Sequence, residues 1–287
     1  MNSEARFFKY QALGNDMVVI DPARCSIKLT PAAIRLICDR HLGSGADGIC
    51  YGPLTEGGSE YAMRFFNPDG TEAEKSGNGL RIFARYLWDA GYVDGRSFTI
   101  TIQGAAIPVN ILDDSAQTIT LGMGRLHFDS RHIPVAGPTR EVVEENMMFG
   151  RETQTVTAVS IGNPHCVIFT DDLAPIRTLG PIVETAPQFP RRINVQLARV
   201  LDEHTLEIAI WERGAGYTLA SGTSCSAAAG AAVKTGRCRS PIKVVMAGGT
   251  ATVAIDEQWR VKLTGAVSAV YQGVFAPDLL HQLRIAE

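Results

Sequence analysis

The sequence predicts an α+β protein of two similar halves, each an antiparallel-rich sheet wrapped around one helix. Three observations predict it. First, residues 211–232, WERGAGYTLASGTSCSAAAGAA, pass from an acidic residue and an arginine through a glycine turn into a run of small residues, and residues 65–87, FFNPDGTEAEKSGNGLRIFARYL, repeat that plan. Glu212 stands nine positions before Ser221, and Asn67 nine before Ser76. Each serine is followed by glycine, a small polar residue (Asn78, Thr223) and a helical pattern. The serines lie 145 positions apart in a chain of 287 residues, a period of about half the protein. Second, other segments keep that period: GGTATVAI at 248–255 echoes GAAIPVNI at 104–111, LTG at 263–265 echoes LGM at 121–123, and GNP at 162–164 echoes GND at 14–16. Third, short strands punctuated by glycine turns surround a single helical stretch in each half.

The elements follow in order. ARFFKYQALGNDMVVID reads as a strand, a turn at Gly14-Asn15-Asp16 and a second strand, with Asn15 serving the turn. Thr30-Pro31 is cap chemistry with proline at the first helical position, and AAIRLICDRH continues with Ile34, Ile37 and Cys38 on one face. GSGADG at 43–48 has the letters of a dinucleotide fingerprint, but it follows a helix and opens none, so it reads as a loop. YAMRFF is a strand, and GLRIFARYLWDAG is a helix with Leu80, Phe83, Ala84 and Leu87 as its core stripe. FTITIQG, AIPVNIL and TITLGMG are alternating strands, and the charged, irregular stretch 129–153 lies near the crossover between halves. The second half repeats the programme: VTAVSIGNPHCVIFT, a short helix near DLAPIRTLG, RINVQLARV, TLEIAIWERGAG, the small-residue helix, then KVVMAGG, TATVAID and RVKLTGAVSAVYQGVF. The domains are placed at 1–120 plus 268–287 and at 121–267.

Composition bounds the function. With 45% hydrophobic residues, 20% charged residues and 28 glycines, the chain is globular and rich in turns, and two cores fit its length. A net charge of −3 and a pI near 6.1 without a basic stripe argue against nucleic acid. No window is apolar enough for a membrane span and no leader opens the sequence, which points to the cytoplasm. The six cysteines and six histidines are dispersed, so reduced thiols are expected, with no metal site.

The chemistry concentrates at the two serines. Ser221-Gly222-Thr223 is cap chemistry, and the N–H groups of Gly222, Thr223 and Ser224 would point out of the helix end. Such an end attracts a carboxylate or phosphate, with the cap side chain directly over it.

At these residues the sequence resembles the diaminopimelate epimerase family. The likeness spans nearly the whole chain: ALGNDMVVID, RHLGSGADG, FFNPDGTEAEKSGNGLRIFARYL, IGNPHCV, RINVQ and WERGAGYTLASGT fall in the family's order. It implies two pseudo-symmetric domains, each a β-barrel-like sheet around a central helix, with the site in the cleft between them. It also implies racemisation or epimerisation without pyridoxal phosphate or metal, an amino-acid-like substrate and a homodimer. The family's two cysteines, which remove and return the α-proton, correspond here to Ser76 (KSGNG for CGNG) and Ser221 (ASGT for ACGT). His165 and Glu212 match positions near the cleft and join the serines as catalytic candidates. Asn15, Asn67, Asn163, Asn194, Glu212 and Arg213 match residues that hold the substrate's amino group and distal end. Gly77-Asn78 and Gly222-Thr223 match the helix ends that bind its α-carboxylate. Tyr217 stands where the family usually has glutamate, and Gly48 where some members have glutamine. Cys225, one helical turn beyond Ser221, reads as a packed thiol.

The substitution matters, because a thiol titrates near ~8.5 and lower at a helix N-terminus, whereas a serine hydroxyl needs a neighbouring base. Three readings remain. The protein is an epimerase or racemase, on diaminopimelate or another substrate; it is an altered lyase or dehydratase; or it is an amino-acid-binding relative without turnover.

Overall fold

The computed structural model describes residues 5–56, 59–73 and 76–285; the first residues of the chain, where a leader was sought, and Lys75 of the KSGNG run lie outside the described residues. The chain divides into two compact units, one ending at Leu121 and resuming at Gly265, the other Gly122–Thr264.

In the first unit β1 (Arg6–Ala12) and β2 (Asn15–Ile20) form an antiparallel hairpin. Leu13 and Gly14, with φ of 55° and 80°, make its turn. The turn thus falls one residue earlier than expected, and Asn15 opens β2 opposite Ala12 with its side chain available for other work. The helix α1 (Pro31–Cys38) starts where Thr30 Oγ1 accepts from Ala33 N at 3.1 Å, and it buries Ala33, Ile34, Ile37 and Cys38. The GSGADG segment is a loop from α1 to β3 (Ile49–Glu56). A Cβ on Gly43 would stand 1.9 Å from Leu36 O, so only glycine lets this loop fold back over the helix end.

The strand β4 (Ser59–Phe66) pairs antiparallel with β3, and α2 (Gly77–Asp89) carries the chain to β5 (Ser97–Ile102), parallel to β4. The antiparallel strands β6 (Ala105–Ile111) and β7 (Thr118–Arg125) follow. Parallel neighbours need a crossover, and α1 between β2 and β3 and α2 between β4 and β5 supply it. The sheet is therefore mixed, more so than the antiparallel-rich expectation. Leu80, Phe83, Ala84 and Leu87 are fully buried, but so are Arg81, Ile82 and Tyr86. The helix α2, packed against β1, β2 and β3, is thus enclosed on more than the face its apolar stripe marks.

The second unit follows the same order of elements. The stretch 129–153, expected to be irregular, contains β8 (Glu145–Phe149), paired with β9 (Glu152–Ser160). The strand β10 (Pro164–Phe169) runs antiparallel to β9, and α3 (Ile176–Glu184) crosses to β11 (Asn194–Asp202), parallel to β10. An antiparallel pair of β11 and β12 (Thr205–Glu212) is extended by the short β13 (Gly216–Thr218). Then α4 (Gly222–Lys234) crosses to β14 (Ile242–Met246), parallel to β12, and β15 (Gly249–Ile255) and β16 (Arg260–Ala266) follow. Every residue from Gly222 to Ala232 is buried, and α4 packs against β9, β10, β11, β12, β14 and β15. Its alanine and glycine side chains let strands approach on all sides; a Cβ on Gly230 would stand 2.5 Å from the Leu126 side chain.

The chain returns to the first unit as β17 (Ser268–Val274), antiparallel to β1, and α5 (Pro277–Ile285), which packs on α1. Sequence reasoning missed α5, because PDLLHQLRI buries Leu283 alone. No helix among the described residues is long and apolar enough to cross a membrane.

Candidate functional site

Ser76 is the N-cap of α2. Its extended backbone (φ −127°, ψ 116°) cannot continue the helix, and its Oγ accepts from Gly79 N at 3.1 Å. Asn78, in the first turn, is 4% exposed: its Oδ1 accepts from Arg81 Nη2 at 2.5 Å, and its Nδ2 reaches Asn15 Oδ1 at 3.5 Å. The fully buried Arg81 guanidinium has room because position 265 is glycine, whose Cβ would lie 3.1 Å from Arg81 Cζ.

Asn15 is oriented in turn by Asp47, whose Oδ2 takes Asn15 Nδ2 at 3.0 Å and Asp16 N at 3.1 Å. Arg40 Nη2 lies 2.7 Å from both Asp16 Oδ1 and Asp47 Oδ1, and the buried Lys9 ammonium lies 2.5 Å from Asp16 Oδ2. Burial alone would raise the Asp16 pKa; hydrogen bonds from Arg40 and Lys9 outweigh it and hold it at about 2. Asn67 stands apart from this group. Its Nδ2 donates to Thr71 Oγ1 at 3.0 Å, and its backbone bonds Thr71 and Gly70, so its visible bonds close the turn after β4.

In the second unit Ser221 caps α4 in the same way, with extended backbone (φ −145°, ψ 127°) and Oγ 3.5 Å from Ser224 N and 3.4 Å from Thr223 Oγ1. Glu212 is the last residue of β12, and its carboxyl is coupled electrostatically to the Ser221 hydroxyl. Burial pushes the Glu212 carboxyl pKa up, and the Ser221 hydroxyl draws it partly back. The buried Thr218 hydroxyl adds to that pull at a geometry too open for a full hydrogen bond. A carboxylate so coupled to a serine at a helix N-terminus can take that serine's proton.

His165 is expected among the catalytic groups. It lies on β10 with no exposed surface, its Nε2 2.9 Å from Asn163 Oδ1. Burial, offset in part by Gln196 and reinforced by the Arg213 charge, pushes its pKa down to about 3. Its surroundings favour the neutral imidazole. Asn163 itself reaches the helix end, Nδ2 to Thr223 Oγ1 at 3.4 Å.

Asn194 is 5% exposed and ties three segments: its Nδ2 donates to Pro164 O at 2.8 Å and its Oδ1 accepts from Arg213 N at 2.9 Å. Both ends of its amide are thereby used on backbone. The Arg213 guanidinium is held by Arg191 O at 3.2 Å.

Sequence reasoning missed Glu184. At the end of α3, 6% exposed, it accepts from Trp211 Nε1 at 2.7 Å and Gly214 N at 3.0 Å, which fixes the loop that carries Glu212 and Arg213. Its one signal in the sequence is an acidic residue at a helix C-terminus, the unfavourable end for negative charge. Gly180 belongs to the same support, since a Cβ there would stand 2.6 Å from the Trp211 ring. Gln196, whose Nε2 lies 3.0 Å from Ser224 Oγ, was missed for want of any local pattern. Cys225 is packed inside α4, and all six cysteines are buried free thiols. Tyr217 carries the Arg177 guanidinium over its ring at 3.9 Å. Among the described residues no group of three or more His, Cys, Asp and Glu side chains is placed to hold a metal ion.

Comparison with known proteins places these features. A family model described as diaminopimelate epimerase matches residues 7–128 and 157–270. The chain is 48% identical over 276 residues to "Diaminopimelate epimerase 2" of Nostoc sp., covering 96% of each chain. It is 39% identical over 280 residues to the diaminopimelate epimerase of Moorella thermoacetica, covering 95% of this chain and 99% of the relative. Among solved structures, a hydroxyproline epimerase from Agrobacterium vitis with bound trans-4-hydroxy-L-proline superposes with a TM-score of 0.69 at 12% identity, over 96% of this chain and 94% of the other, a likeness of fold alone.

Proposed function

Because this chain belongs to the diaminopimelate epimerase family, we propose that it is a cofactor-independent amino-acid epimerase or racemase acting at the α-carbon, with diaminopimelate the first candidate substrate. The observation that carries the chemistry is Ser221 as the N-cap of α4, its Oγ 3.5 Å from Ser224 N, with the Glu212 carboxyl coupled electrostatically to its hydroxyl. The substrate's α-carboxylate is assigned to the first-turn N–H groups of Gly222 and Thr223. Ser221 Oγ takes the α-proton while its own proton passes to Glu212. The Cα–H bond and the old serine O–H bond break, new serine and glutamate O–H bonds form, and the electron pair left on Cα spreads into the carboxylate. The positive end of the helix dipole favours that extra negative charge.

Burial helps Glu212 in this role, since a carboxylate of raised pKa is a stronger base once it is ionised. Ser76 is equipped differently. Asn67 stands at the position matching Glu212, and an amide is no base; Ser76 is assigned to return a proton to Cα, its O–H bond breaking as the new Cα–H bond forms and its oxygen being reprotonated from solvent, and to remove that proton in the reverse direction.

The shared element order, with a serine capping a 13-residue helix in each unit, supports reading the two units as one duplicated plan. A homodimer belongs to the same reading. The apolar residues Val270, Tyr271 and Val274, 53%, 47% and 55% exposed on β17, are the surface offered for it, and light scattering tests it.

The deciding experiment is proton NMR in heavy water with LL- and meso-diaminopimelate and a panel of other amino and hydroxy acids. Loss of an α-proton signal with one compound is the expected result and names the substrate. Binding without loss of signal for any compound overturns the proposal in favour of a ligand-binding relative.

A further inference from the structure

We propose that Arg81 is a positioning residue: through the side-chain amides of Asn78 and Asn15 it ties the first turn of α2, the helix capped by Ser76, to the start of β2. The inference rests on the proposed function for its consequence, since it names what holds the Ser76 end of the site in place.

The chain of contacts has a charged group at each end. Arg81 has no exposed surface, and its Nη2 meets Asn78 Oδ1 at 2.5 Å; Asn78 Nδ2 reaches Asn15 Oδ1 at 3.5 Å; Asn15 Nδ2 meets Asp47 Oδ2 at 3.0 Å. A guanidinium only donates, so the Asn78 carbonyl must face it. At the other end, Asp47 Oδ2 also accepts from Asp16 N at 3.1 Å, and Asp47 Oδ1 is paired with Arg40 at 2.7 Å. That carboxylate is an acceptor, so the Asn15 NH2 must face it. Turning the first amide would set an NH2 against the guanidinium, and turning the second would set a carbonyl against the carboxylate. Each end therefore fixes its own amide without reference to the other. The junction between the two amides then comes out matched, an NH2 facing a carbonyl.

Both amide dipoles point the same way, carbonyl towards the cation and NH2 towards the anion, which favours the charge at each end. The link also joins separate elements: Asn78 and Arg81 lie on α2, Asn15 opens β2, and Asp47 lies in the loop before β3. Asn78 is 4% exposed and stands two residues past the cap, where Ser76 Oγ accepts from Gly79 N. Glycine at 265 leaves the guanidinium its place, since a Cβ there would lie 3.1 Å from Arg81 Cζ. Ser76 has no carboxylate at the position matching Glu212, so its proton transfer depends on placement, and a small displacement of the helix end costs rate more than binding.

The relay is tested first without turnover. Arg81→Met and Asn15→Ala each remove one link, and once one is gone the other has less to hold. The fall in urea midpoint of the double variant should be clearly smaller than the sum of the two single falls, and additive falls overturn the inference. The charged ends also predict a contrast at pH 8: Asn78→Asp gains the guanidinium as a charged partner and should keep its midpoint, whereas Asn15→Asp faces the Asp47 carboxylate and should lose it. The reverse order overturns the assigned polarity. For function, with diaminopimelate in the α-proton assay well below the melting temperature, Arg81→Met should lower kcat ~10-fold or more with KM within ~3-fold of the parent. Arg81→Lys keeps a cation that only donates and should recover most of that loss. An unchanged kcat in the Met variant, or equal losses in the two, refutes the positioning role. Should no compound be turned over, the proposed function fails while the urea measurements still decide the relay.

Discussion

Replacing Glu212 with glutamine separates catalysis from stability, because the two should move in opposite directions. Glutamine keeps the shape of the side chain and can still bond Ser221 Oγ, but its NH2 end donates and its carbonyl is no base. Loss of a positioned general base typically costs ~10² to 10⁴-fold in rate, or ~3 to 5 kcal/mol of barrier. Stability should respond otherwise. Burial raises the Glu212 pKa above its unfolded value, so between those two values the folded chain holds a proton that the unfolded chain has released. Stability therefore falls as pH rises through that window, each tenfold displacement of the acid equilibrium corresponding to ~1.4 kcal/mol, and the deficit is complete above the folded pKa. Glu212→Gln lacks the deficit. It should melt at or above the parent's temperature at pH 8 while its α-proton exchange collapses. In the parent, exchange should rise with pH along a limb displaced above the usual carboxylate range, and the variant should lose that limb. The assays are proton NMR in heavy water and thermal melts over pH 5–8. A variant that exchanges within a few-fold of the parent, or that is destabilised at pH 8, refutes the assignment of Glu212 as a half-buried base.

Ser221→Ala should abolish exchange and lower stability by ~1 kcal/mol through loss of the cap, whereas Ser221→Cys should exchange faster than the parent, because a thiol at a helix N-terminus ionises near neutrality; a slower Cys variant counts against the helix end as the site. Glu184→Gln leaves Trp211 Nε1 or Gly214 N without its charged acceptor and should cost ~1 to 3 kcal/mol in urea unfolding, with KM raised more than kcat is lowered. Asp16, held at about 2 by Arg40 and Lys9, gives stability that is complete above its unfolded pKa near ~3.9 and is lost as pH falls towards 2. Acid unfolding of Asp16→Asn should begin at a higher pH than the parent's difference curve requires, and on the order of 2 kcal/mol should be missing at pH 7. Gly180→Ala drives a methyl into the Trp211 ring and should cost ~1 to 3 kcal/mol with little change in the helix content seen by circular dichroism.

The sequence by itself determined the parts that are local. Ser76 and Ser221 were legible as caps because a cap is a short-range arrangement, a side chain bonding a backbone N–H three residues on. The helices after them, and the strands around them, were legible from glycine punctuation and alternation. The resemblance carried by motifs such as IGNPHCV and WERGAGYTLASGT supplied the family, and with it the candidate residues. Even locally there was slippage. The first hairpin turns at Leu13-Gly14, because two left-handed residues suffice, and that released Asn15 from the turn to meet Asn78.

Tertiary structure alone decided which candidates touch one another and in what state of charge. The short strand β13 pairs back on β12, so the chain returns from Glu212 to the start of α4, where Ser221 is the cap. The burial of His165 is a property of the finished core: a histidine in a GNPHC motif reads the same whether its ring is exposed or enclosed. Glu184 lies 28 residues from Glu212 in sequence, and Gln196 lies 31 from His165. Their hydrogen bonds depend on the parallel pairing of β10 with β11 and on the packing of α3, long-range contacts whose partners a local pattern cannot name.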